Sequence, residues 1–264
     1  MKDYAIVLAA DLPTTGEVLS TVKQVGGIVD GIKVGVPTLL ESGRGILQAI
    51  RDLIQDRPLL VDLKIADIGF GSGDGWDGTN AKIIKALAGS GATHVTVHGF
   101  PGPVSIAEAV DVARDADIEV LLLPLMSHPG AGLFFSRPLE PAQLVEETSK
   151  VGLAREFPGH TKSTDVTSGI LLLGEALGVA GYIGPATRPD DLKRYRSMTK
   201  RPIWCPGFGR QDRLGRTMEV QLREWAEIVG PASAAIVGSA IFKAGDQAGA
   251  AKEIVEMRDR AVTD

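Results

Sequence analysis

The sequence has one cysteine, no long basic stretch and no long apolar run, and each of these shortages excludes a class of protein. Cys205 has no second cysteine to pair with, so an internal disulfide is excluded. A formal net charge of −5, without a basic stretch, argues against nucleic acid as a partner. The apolar run at 5–10 is too short for a signal peptide or a membrane span. We therefore expect a cytoplasmic protein, in a reducing setting, that binds neither nucleic acid nor membrane.

Short apolar runs alternate with helix-like segments along the whole chain. Runs of strand length predict eight buried parallel strands, at 4–10, 28–34, 59–65, 93–98, 118–123, 179–183, 202–205 and 234–237. Apolar residues at steps of three and four predict helices at 15–24, 39–54, 80–88, 104–113, 141–156, 190–197, 216–229 and 247–262. Eight strand–helix units favour a (β/α)8 TIM barrel over an open doubly wound sheet, and residues 1–264 suffice for one such domain.

Two connections are longer than such a barrel requires. Residues 69–78 contain five glycines and directly follow Asp67, so this stretch is predicted to be a flexible loop, with Trp76 as its one anchor. The second, at about 155–168, is polar, contains proline and glycine, and separates two helical patterns. We expect both to be loop insertions at the surface.

The third predicted strand runs into three alternating charges, in the stretch L-V-D-L-K-I-A-D-I. Asp62 and Lys64 are two residues apart and should share a face of the strand, and Asp67 follows three residues later. Charges near a core persist only when they are paired, and such clusters are often where protonation is perturbed and chemistry occurs. The triplet alone is equally consistent with a structural ion-pair cluster at the barrel rim.

Other predicted strands also end on polar residues. The first ends on Asp11, the second carries Lys33 near its end, the fourth ends on His98 and the fifth leads to Ser127. Taken singly, Asp11 could cap a turn, Lys33 could extend to solvent and His98 could be a hydrogen-bonded core residue. A barrel, however, brings the carboxyl ends of all its strands to one mouth, where active sites of this architecture lie. Their joint occurrence favours a catalytic site.

The last two predicted strands are followed by glycine and small residues, in P-G-F-G-R-Q and V-G-S-A-I. Without bulky side chains, backbone N–H groups can approach an anion closely. The loops after strands seven and eight are also the usual phosphate site of a (β/α)8 barrel. A phosphorylated small molecule is therefore the predicted ligand.

In combination these motifs resemble a known family. The segments L-A-A-D-L, I-K-V-G, D-L-K-I-A-D-I, V-H-G-F-P-G, L-M-S-H-P-G-A and G-P-A-T-R-P are similar to those of orotidine 5′-monophosphate decarboxylases, in particular the archaeal-type branch. The pattern D-x-K-x-x-D alone also occurs in sugar-phosphate relatives such as 3-keto-gulonate-phosphate decarboxylase and hexulose-phosphate synthase. Its combination with M-S-H-P-G-A makes the resemblance specific.

The resemblance implies a homodimer that decarboxylates orotidine 5′-monophosphate to UMP, in pyrimidine biosynthesis, without cofactor or metal. It implies a charged tetrad of Lys33, Asp62, Lys64 and Asp67, in which Asp67 reaches the active site of the partner subunit. Lys64 is then the proton donor to C6 of the pyrimidine, and Asp62 lies beside the substrate carboxylate. Lys33 is expected to bridge Asp62 and the ribose hydroxyls. Thr79 is expected to join Asp67 at the neighbour's ligand.

The resemblance also implies residues that bind the substrate. Asp11 is expected to hold a ribose hydroxyl, Ser127 the pyrimidine edge, and Gln211 to reach between base and phosphate. The other implied binding residues are Pro185, Gly238 and Ser239.

The sequence departs from the family pattern at two positions. Ser239 stands where the family usually has an arginine, as in V-G-R-S, so a bidentate charged contact to phosphate is missing. Backbone N–H groups with Ser239 and Gln211, or Arg210 or Arg213, could replace that contact, or phosphate affinity could be weaker. Residues 69–78 also exceed the family's short D-I-P-x-T-N spacing, although closing a longer loop costs little additional entropy.

Two other functions stay open. One is a metal-dependent sugar-phosphate decarboxylase or aldolase of the same superfamily, which an absolute Mg²⁺ requirement would indicate. The other is a non-catalytic paralogue that binds pyrimidine nucleotides, which the absent arginine suggests.

Overall fold

Eight parallel strands close into a barrel in the computed structural model of the chain, which describes residues 2–72, 75–128, 130–150, 164–209, 212 and 215–263. The strands are β1 (Tyr4–Ala9), β2 (Gly31–Gly35), β3 (Leu59–Ile65), β4 (His94–His98), β5 (Glu119–Leu123), β6 (Gly181–Ile183), β7 (Ile203–Pro206) and β8 (Ser233–Val237). Each strand pairs in parallel with its neighbours in sequence, and β1 pairs with β8 to close the ring. The predicted (β/α)8 TIM barrel is confirmed, and the open sheet is excluded.

Helices follow the strands and cover the outside of the barrel. They are α1 (Thr15–Val25), α2 (Val36–Ser42), α3 (Gly45–Ile54), α4 (Thr79–Leu87), α5 (Pro103–Asp115), α6 (Gly132–Phe135), α7 (Pro141–Lys150), α8 (Val166–Leu177), α9 (Pro189–Met198), α10 (Met218–Val229), α11 (Ser239–Phe242) and α12 (Gln247–Thr263). The single helix predicted at 39–54 is two helices, because Gly43 has a φ of 68° and ends the first of them. Within the described ranges, no helix is long and apolar enough to cross a bilayer.

The inside of the barrel is filled by apolar side chains, of which the indole of Trp204 is the largest. Trp204 lies level with Ala234 of β8, and Ala234 lies level with Ala5 of β1, so two small residues leave room for the indole. The interior cluster consists of Ala5, Val7, Leu60, Leu121, Leu123, Ile183, Trp204, Ala234 and Ile236. The members nearest the carboxyl ends of the strands form an apolar floor for the mouth of the barrel.

The glycine-rich connection is not the irregular loop that its composition predicts. Gly71–Ser72 pairs antiparallel with Gly75–Trp76, so the connection contains a short hairpin. A Cβ atom on Gly71 would lie 2.7 Å from the ring of Trp76, which shows that this glycine permits close packing. The indole N–H of Trp76 donates to Asp111 of α5 at 3.1 Å, in agreement with its predicted anchoring role.

The second predicted insertion, at about 155–168, ends earlier than expected. Residues 155–163 lie outside the described residues. Thr164–Asp165 pairs antiparallel with Pro138–Leu139, and α8 begins at Val166. The helix begins there because the carboxylate of Asp165 accepts a hydrogen bond from the N–H of Ser168 at 2.8 Å and caps the first turn.

Candidate active site

The carboxyl ends of the strands surround a cavity of about 370 Å³, a volume typical of small-molecule sites. Four charged residues from the ends of β1, β2 and β3 form one side: Asp11, Lys33, Asp62 and Lys64. The segments after β7 and β8 supply Gly207, Phe208, Gly238, Ser239 and Phe242, and Ser127 borders the cavity after β5. A ligand in this cavity therefore meets alternating charges at one side and small or aromatic residues at the other.

The charged residues form a continuous row in which positive and negative side chains alternate. The side chain of Lys33 is 8% exposed, and its ammonium group contacts the carboxylate of Asp11 and lies 3.4 Å from Oδ2 of Asp62. Nζ of Lys64 lies 2.8 Å from the same Asp62 oxygen. Each partly desolvated charge thus has an opposite charge beside it, which offsets part of the cost of its burial. The structure brings together three of the four predicted tetrad members and adds Asp11 to them.

Asp62 lies at the centre of this row of paired charges. Burial by itself would raise the pKa of Asp62, but the charges of Lys33 and Lys64 lower it, as do hydrogen bonds from Lys64 and Thr96, and the net shift is downward. Asp62 is therefore a carboxylate at neutral pH. It places a fixed negative charge against the ammonium group of Lys64, whose side chain is 40% exposed toward the mouth.

Lys64 has an unusual backbone conformation. Its φ is 49°, in the left-handed region, which costs a non-glycine residue roughly 1–2 kcal/mol. The pairing of β3 with β4 shifts register at this point. Val61 is opposite Val95 and Ile65 is opposite Val97, so β3 advances by four residues where β4 advances by two. This bulge carries both Asp62 and Lys64 to the cavity.

Thr96 of β4 holds the bulge in place. Its hydroxyl accepts a hydrogen bond from the N–H of Lys64 at 2.8 Å and donates one to Oδ1 of Asp62 at 2.8 Å. Thr96 is not among the residues that the sequence motifs predict for the site. The available signal was a single polar residue between two valines of a buried strand, in V-T-V-H.

His98 lies at the lip of the barrel, as its position in sequence predicts. Burial first, and then the positive charge of Lys64, lower its pKa, so the ring is neutral at pH 7. Its Nδ1 accepts a hydrogen bond from the N–H of Phe100 at 3.1 Å, and the ring centroid lies 5.4 Å from that of Phe135. His98 is thus a hydrogen-bonded residue in aromatic surroundings.

Asp67 and Thr79 do not border the cavity of their own subunit. Asp67 is exposed. Among the described residues, its carboxylate accepts a hydrogen bond from the N–H of Ile68, at 2.7 Å. Thr79 is the first residue of α4 and is half-buried. Within one subunit, the fourth predicted tetrad member is therefore separate from the other three.

The other predicted binding residues have different locations. Ser127 is exposed at the cavity edge, and the adjacent carbonyl of His128 accepts a hydrogen bond from Arg188 at 3.0 Å. Gly238 and Ser239 border the cavity, whereas Pro185 is buried and is not one of its lining residues. Gln211 lies outside the described residues, as do Arg210 and Arg213.

Within the ranges that the structure describes, no three His, Cys, Asp or Glu side chains are arranged to hold a metal ion.

Comparison with known proteins assigns the chain to a family. The model of the orotidine 5′-phosphate decarboxylase / HUMPS family matches residues 4–254. The chain belongs to this family. Orotidine 5′-phosphate decarboxylase of Methanosphaera stadtmanae is 31% identical over 95% of both chains, and that of Methanosarcina acetivorans is 31% identical over 97% of this chain and 95% of the relative.

A solved structure of the family is similar over the whole fold. Orotidine 5′-monophosphate decarboxylase from Methanocaldococcus jannaschii, complexed with the inhibitor BMP, superposes with a TM-score of 0.74. It is 28% identical in sequence, and the match covers 97% of this chain and 99% of that one. The resemblance to archaeal-type orotidine 5′-monophosphate decarboxylases is confirmed, and with it the prediction that the chain is an enzyme of this class.

Proposed function

We propose that the chain converts orotidine 5′-monophosphate to UMP in pyrimidine biosynthesis and that Lys64 is the proton donor. The observation that carries the proposal is the Lys64 ammonium group, which lies 2.8 Å from the Asp62 carboxylate on a side chain that is 40% exposed in the barrel mouth. Loss of carbon dioxide from the pyrimidine leaves an electron pair on C6, which has no electron sink. A fixed cation at that carbon stabilises the developing charge and can then protonate it.

The site residues have distinct roles in this proposal. The C6–carboxylate bond breaks, carbon dioxide leaves, and the electron pair stays on C6, to which Nζ of Lys64 transfers its proton. Solvent then returns a proton to Lys64. Asp62 lies beside the departing carboxylate and orients the ammonium group, while Lys33 links Asp62 to Asp11 near the ribose.

The phosphate end of the substrate is proposed to lie against the segments after β7 and β8. Gly238 and Ser239 border the cavity there and leave the backbone accessible to an anion. Ser127, at the cavity edge after β5, is proposed to contact the pyrimidine. Phosphate binding remote from C6 can then favour a closed site in the transition state.

The active assembly is proposed to be a homodimer in which Asp67 and Thr79 reach the partner's site. A patch of Ala66, His98, Phe100, Phe134 and Phe135 lies directly beside Asp67, and Phe100 and Phe134 are 67% and 64% exposed. Exposed aromatic clusters of this kind are typical of subunit interfaces.

Sedimentation measurements at micromolar concentration test the dimer. Replacement of Phe100 by Glu is expected to give monomers with little activity, because a charge in an apolar interface is not compensated. A wild-type chain that sediments as a monomer, with full activity, would exclude the shared site.

The reaction itself is tested by absorbance loss when pure protein is mixed with orotidine 5′-monophosphate in EDTA. No turnover at substrate concentrations well above the expected affinity contradicts the proposal. An absolute Mg²⁺ requirement indicates a sugar-phosphate enzyme instead. Calorimetric binding of UMP without turnover indicates a non-catalytic paralogue.

A further inference from the structure

A fully buried carboxylate outside the cavity, that of Glu108 in α5, binds backbone groups of the glycine-rich connection. Its Oε1 accepts hydrogen bonds from the N–H groups of Gly78 at 2.6 Å and Phe70 at 3.3 Å. Its Oε2 accepts one from Ala81 at 3.3 Å. A buried carboxylate is costly without such donors, so its position is strongly constrained by them.

These three donors mark the two ends of the connection and the helix that follows it. Phe70 lies at the start of the connection, Gly78 at its end, and Ala81 in the first turn of α4. Gly78 is the N-cap of α4 and has no side chain to cap it. Glu108 therefore joins both ends of the hairpin and supplies the N-terminal cap that α4 lacks.

Residues adjacent to Glu108 hold the backbone of Asp67. The hydroxyl of Ser105, one turn earlier in α5, donates to the carbonyl of Asp67 at 2.9 Å and accepts from the N–H of Gly69 at 3.0 Å. Asn80, in the turn of α4 that Glu108 caps, accepts from the N–H of Asp67 at 3.1 Å and donates to its carbonyl at 3.0 Å. The main chain of Asp67 is thus held from both α4 and α5.

The close fit of this segment on α5 requires two of its glycines. A Cβ on Gly69 would lie 2.7 Å from the backbone of Ser105. A Cβ on Gly78 would lie 2.6 Å from Oε1 of Glu108. The ends of the connection are therefore packed against α5, which keeps Asp67 and Thr79 at a fixed separation.

We propose that Glu108 is a positioning residue for Asp67 and Thr79, and that each active site therefore depends on a carboxylate buried in the partner subunit. The inference rests on the proposed function, in which Asp67 acts across the interface. It goes further, because it assigns control of that contact to α5, away from the cavity and the substrate.

Mixed dimers test this inference, because they separate effects within a subunit from effects on its partner. Glu108→Gln alone is expected to lower kcat/KM on the order of 10- to 100-fold, as small misplacements in active sites do. Lys64→Ala alone is expected to be inactive. The heterodimer of the two variants is purified with two different tags. Its Glu108→Gln subunit keeps Lys64, and the partner of that subunit, the Lys64→Ala chain, keeps Glu108, so one of the two sites is complete. That heterodimer is expected to have about half the activity of the wild-type dimer.

An effect of Glu108 within its own subunit predicts a heterodimer without this recovered activity. If Glu108 acts only on its own subunit, the heterodimer has no more than half the low activity of the Glu108→Gln homodimer, and the inference is overturned. A heterodimer of Asp67→Ala and Lys64→Ala, made in parallel, tests the shared site. If it regains activity and the Glu108→Gln heterodimer does not, only the inference fails. If neither regains activity, the inference fails together with the shared site. Wild-type turnover in the same assay tests the proposed reaction independently.

Two further variants control for folding. Ser105→Ala removes the hydroxyl that holds Asp67 while leaving Glu108 in place, and it is expected to show the same rescue in the heterodimer with a smaller loss alone. Glu175→Gln is a matched carboxylate change on α8, where Glu175 accepts from Tyr182 and Thr199 at 2.7 Å. It should keep wild-type kcat/KM. Wild-type kcat/KM in both Glu108→Gln and Ser105→Ala would overturn the inference.

Discussion

The charged residues of the D-x-K-x-x-D stretch belong to two regions that are held in different ways. Asp62 and Lys64 lie in a strand bulge, where Lys33 and Thr96 of the neighbouring strands fix the carboxylate of Asp62. That carboxylate holds the ammonium group of Lys64, and Thr96 also accepts from the N–H of Lys64. Asp67 follows the strand, and its backbone is held by two helices while its carboxylate is exposed. The barrel strands thus hold the first region, that of Asp62 and Lys64, in place. The second region, that of Asp67, depends on packing against helices outside the barrel, and in our proposal it acts on the partner subunit.

The largest difference between the two regions should appear when Lys64 is replaced by Ala. Without the cation and the proton donor, kcat is expected to fall by about 10⁴-fold or more. The fold should persist with a free energy of unfolding within about 1 kcal/mol of wild type, because the side chain is 40% exposed. Steady-state kinetics and thermal unfolding measure the two effects. Lys193→Ala, at an exposed ion pair, is the control, and a Lys64→Ala enzyme with substantial activity would remove the proposed role.

Replacement of Asp62 by Asn should affect both activity and stability. It leaves Lys33 and Lys64 without their shared counter-charge, so kcat/KM is expected to fall about 10²- to 10³-fold and stability by about 1–3 kcal/mol at pH 7. The pKa of Asp62 is lower in the folded state than in the unfolded chain, where it is about 3.9. Its stabilisation is therefore complete above that value and is lost as the pH falls through the folded-state pKa.

Denaturant unfolding from pH 7 to pH 3 checks this prediction. The difference in unfolding free energy between wild type and Asp62→Asn should be constant near neutral pH and should shrink below about pH 4. A difference that grows in acid would contradict the lowered pKa. The exposed Asp190 on α9 offers a control, since Asp190→Asn should show no such pH dependence.

The barrel and the residues in its strands could be predicted because their signals are local. Buried parallel strands require continuous apolar runs, and polar residues at the strand ends must meet at one mouth. Lys33, Asp62 and Lys64 follow from that argument. The left-handed conformation of Lys64 does not, because it results from the register of β3 against β4.

The second region could not be predicted because its contacts join distant parts of the chain. Five glycines in ten residues indicate flexibility when only local propensity is considered, yet Gly69 and Gly78 permit close packing on α5. A glutamate in a helix is usually exposed, so nothing in the local sequence marks Glu108 as buried. The break of the second predicted helix at Gly43 has a local cause instead, but the apolar pattern hides it because apolar residues continue on both sides of the glycine.

Thr96→Val should produce an intermediate effect within the first region. The change preserves the shape of the side chain but removes both hydrogen bonds to the bulge, so Lys64 and Asp62 lose a shared support. We expect kcat/KM to fall about tenfold, with a stability loss of about 1–2 kcal/mol. Thr96→Ser retains the hydroxyl and should recover most of the rate. Equal kinetics for the Val and Ser variants would mean that the bulge does not need this residue.

The smallest expected effect is that of Gly78→Ala, which tests whether the second region needs space or conformational freedom. Gly78 has a φ of −71°, which alanine adopts readily, so the substitution is opposed by close contacts alone, with Oε1 of Glu108 and the backbone nitrogen of Phe70, each 2.6 Å from the added Cβ. We expect a loss of about 1–3 kcal/mol in unfolding free energy from the displaced carboxylate and the shifted backbone at Phe70, and a reduction in kcat/KM of only a few-fold. Gly16→Ala is the matched control, since Gly16 also lies at the start of a helix, but beyond its own helical turn no atom of the described residues is within 4 Å of the added Cβ. If thermal unfolding shows the same change for both variants, close packing on α5 does not account for Gly78, and the difference between the two regions lies elsewhere.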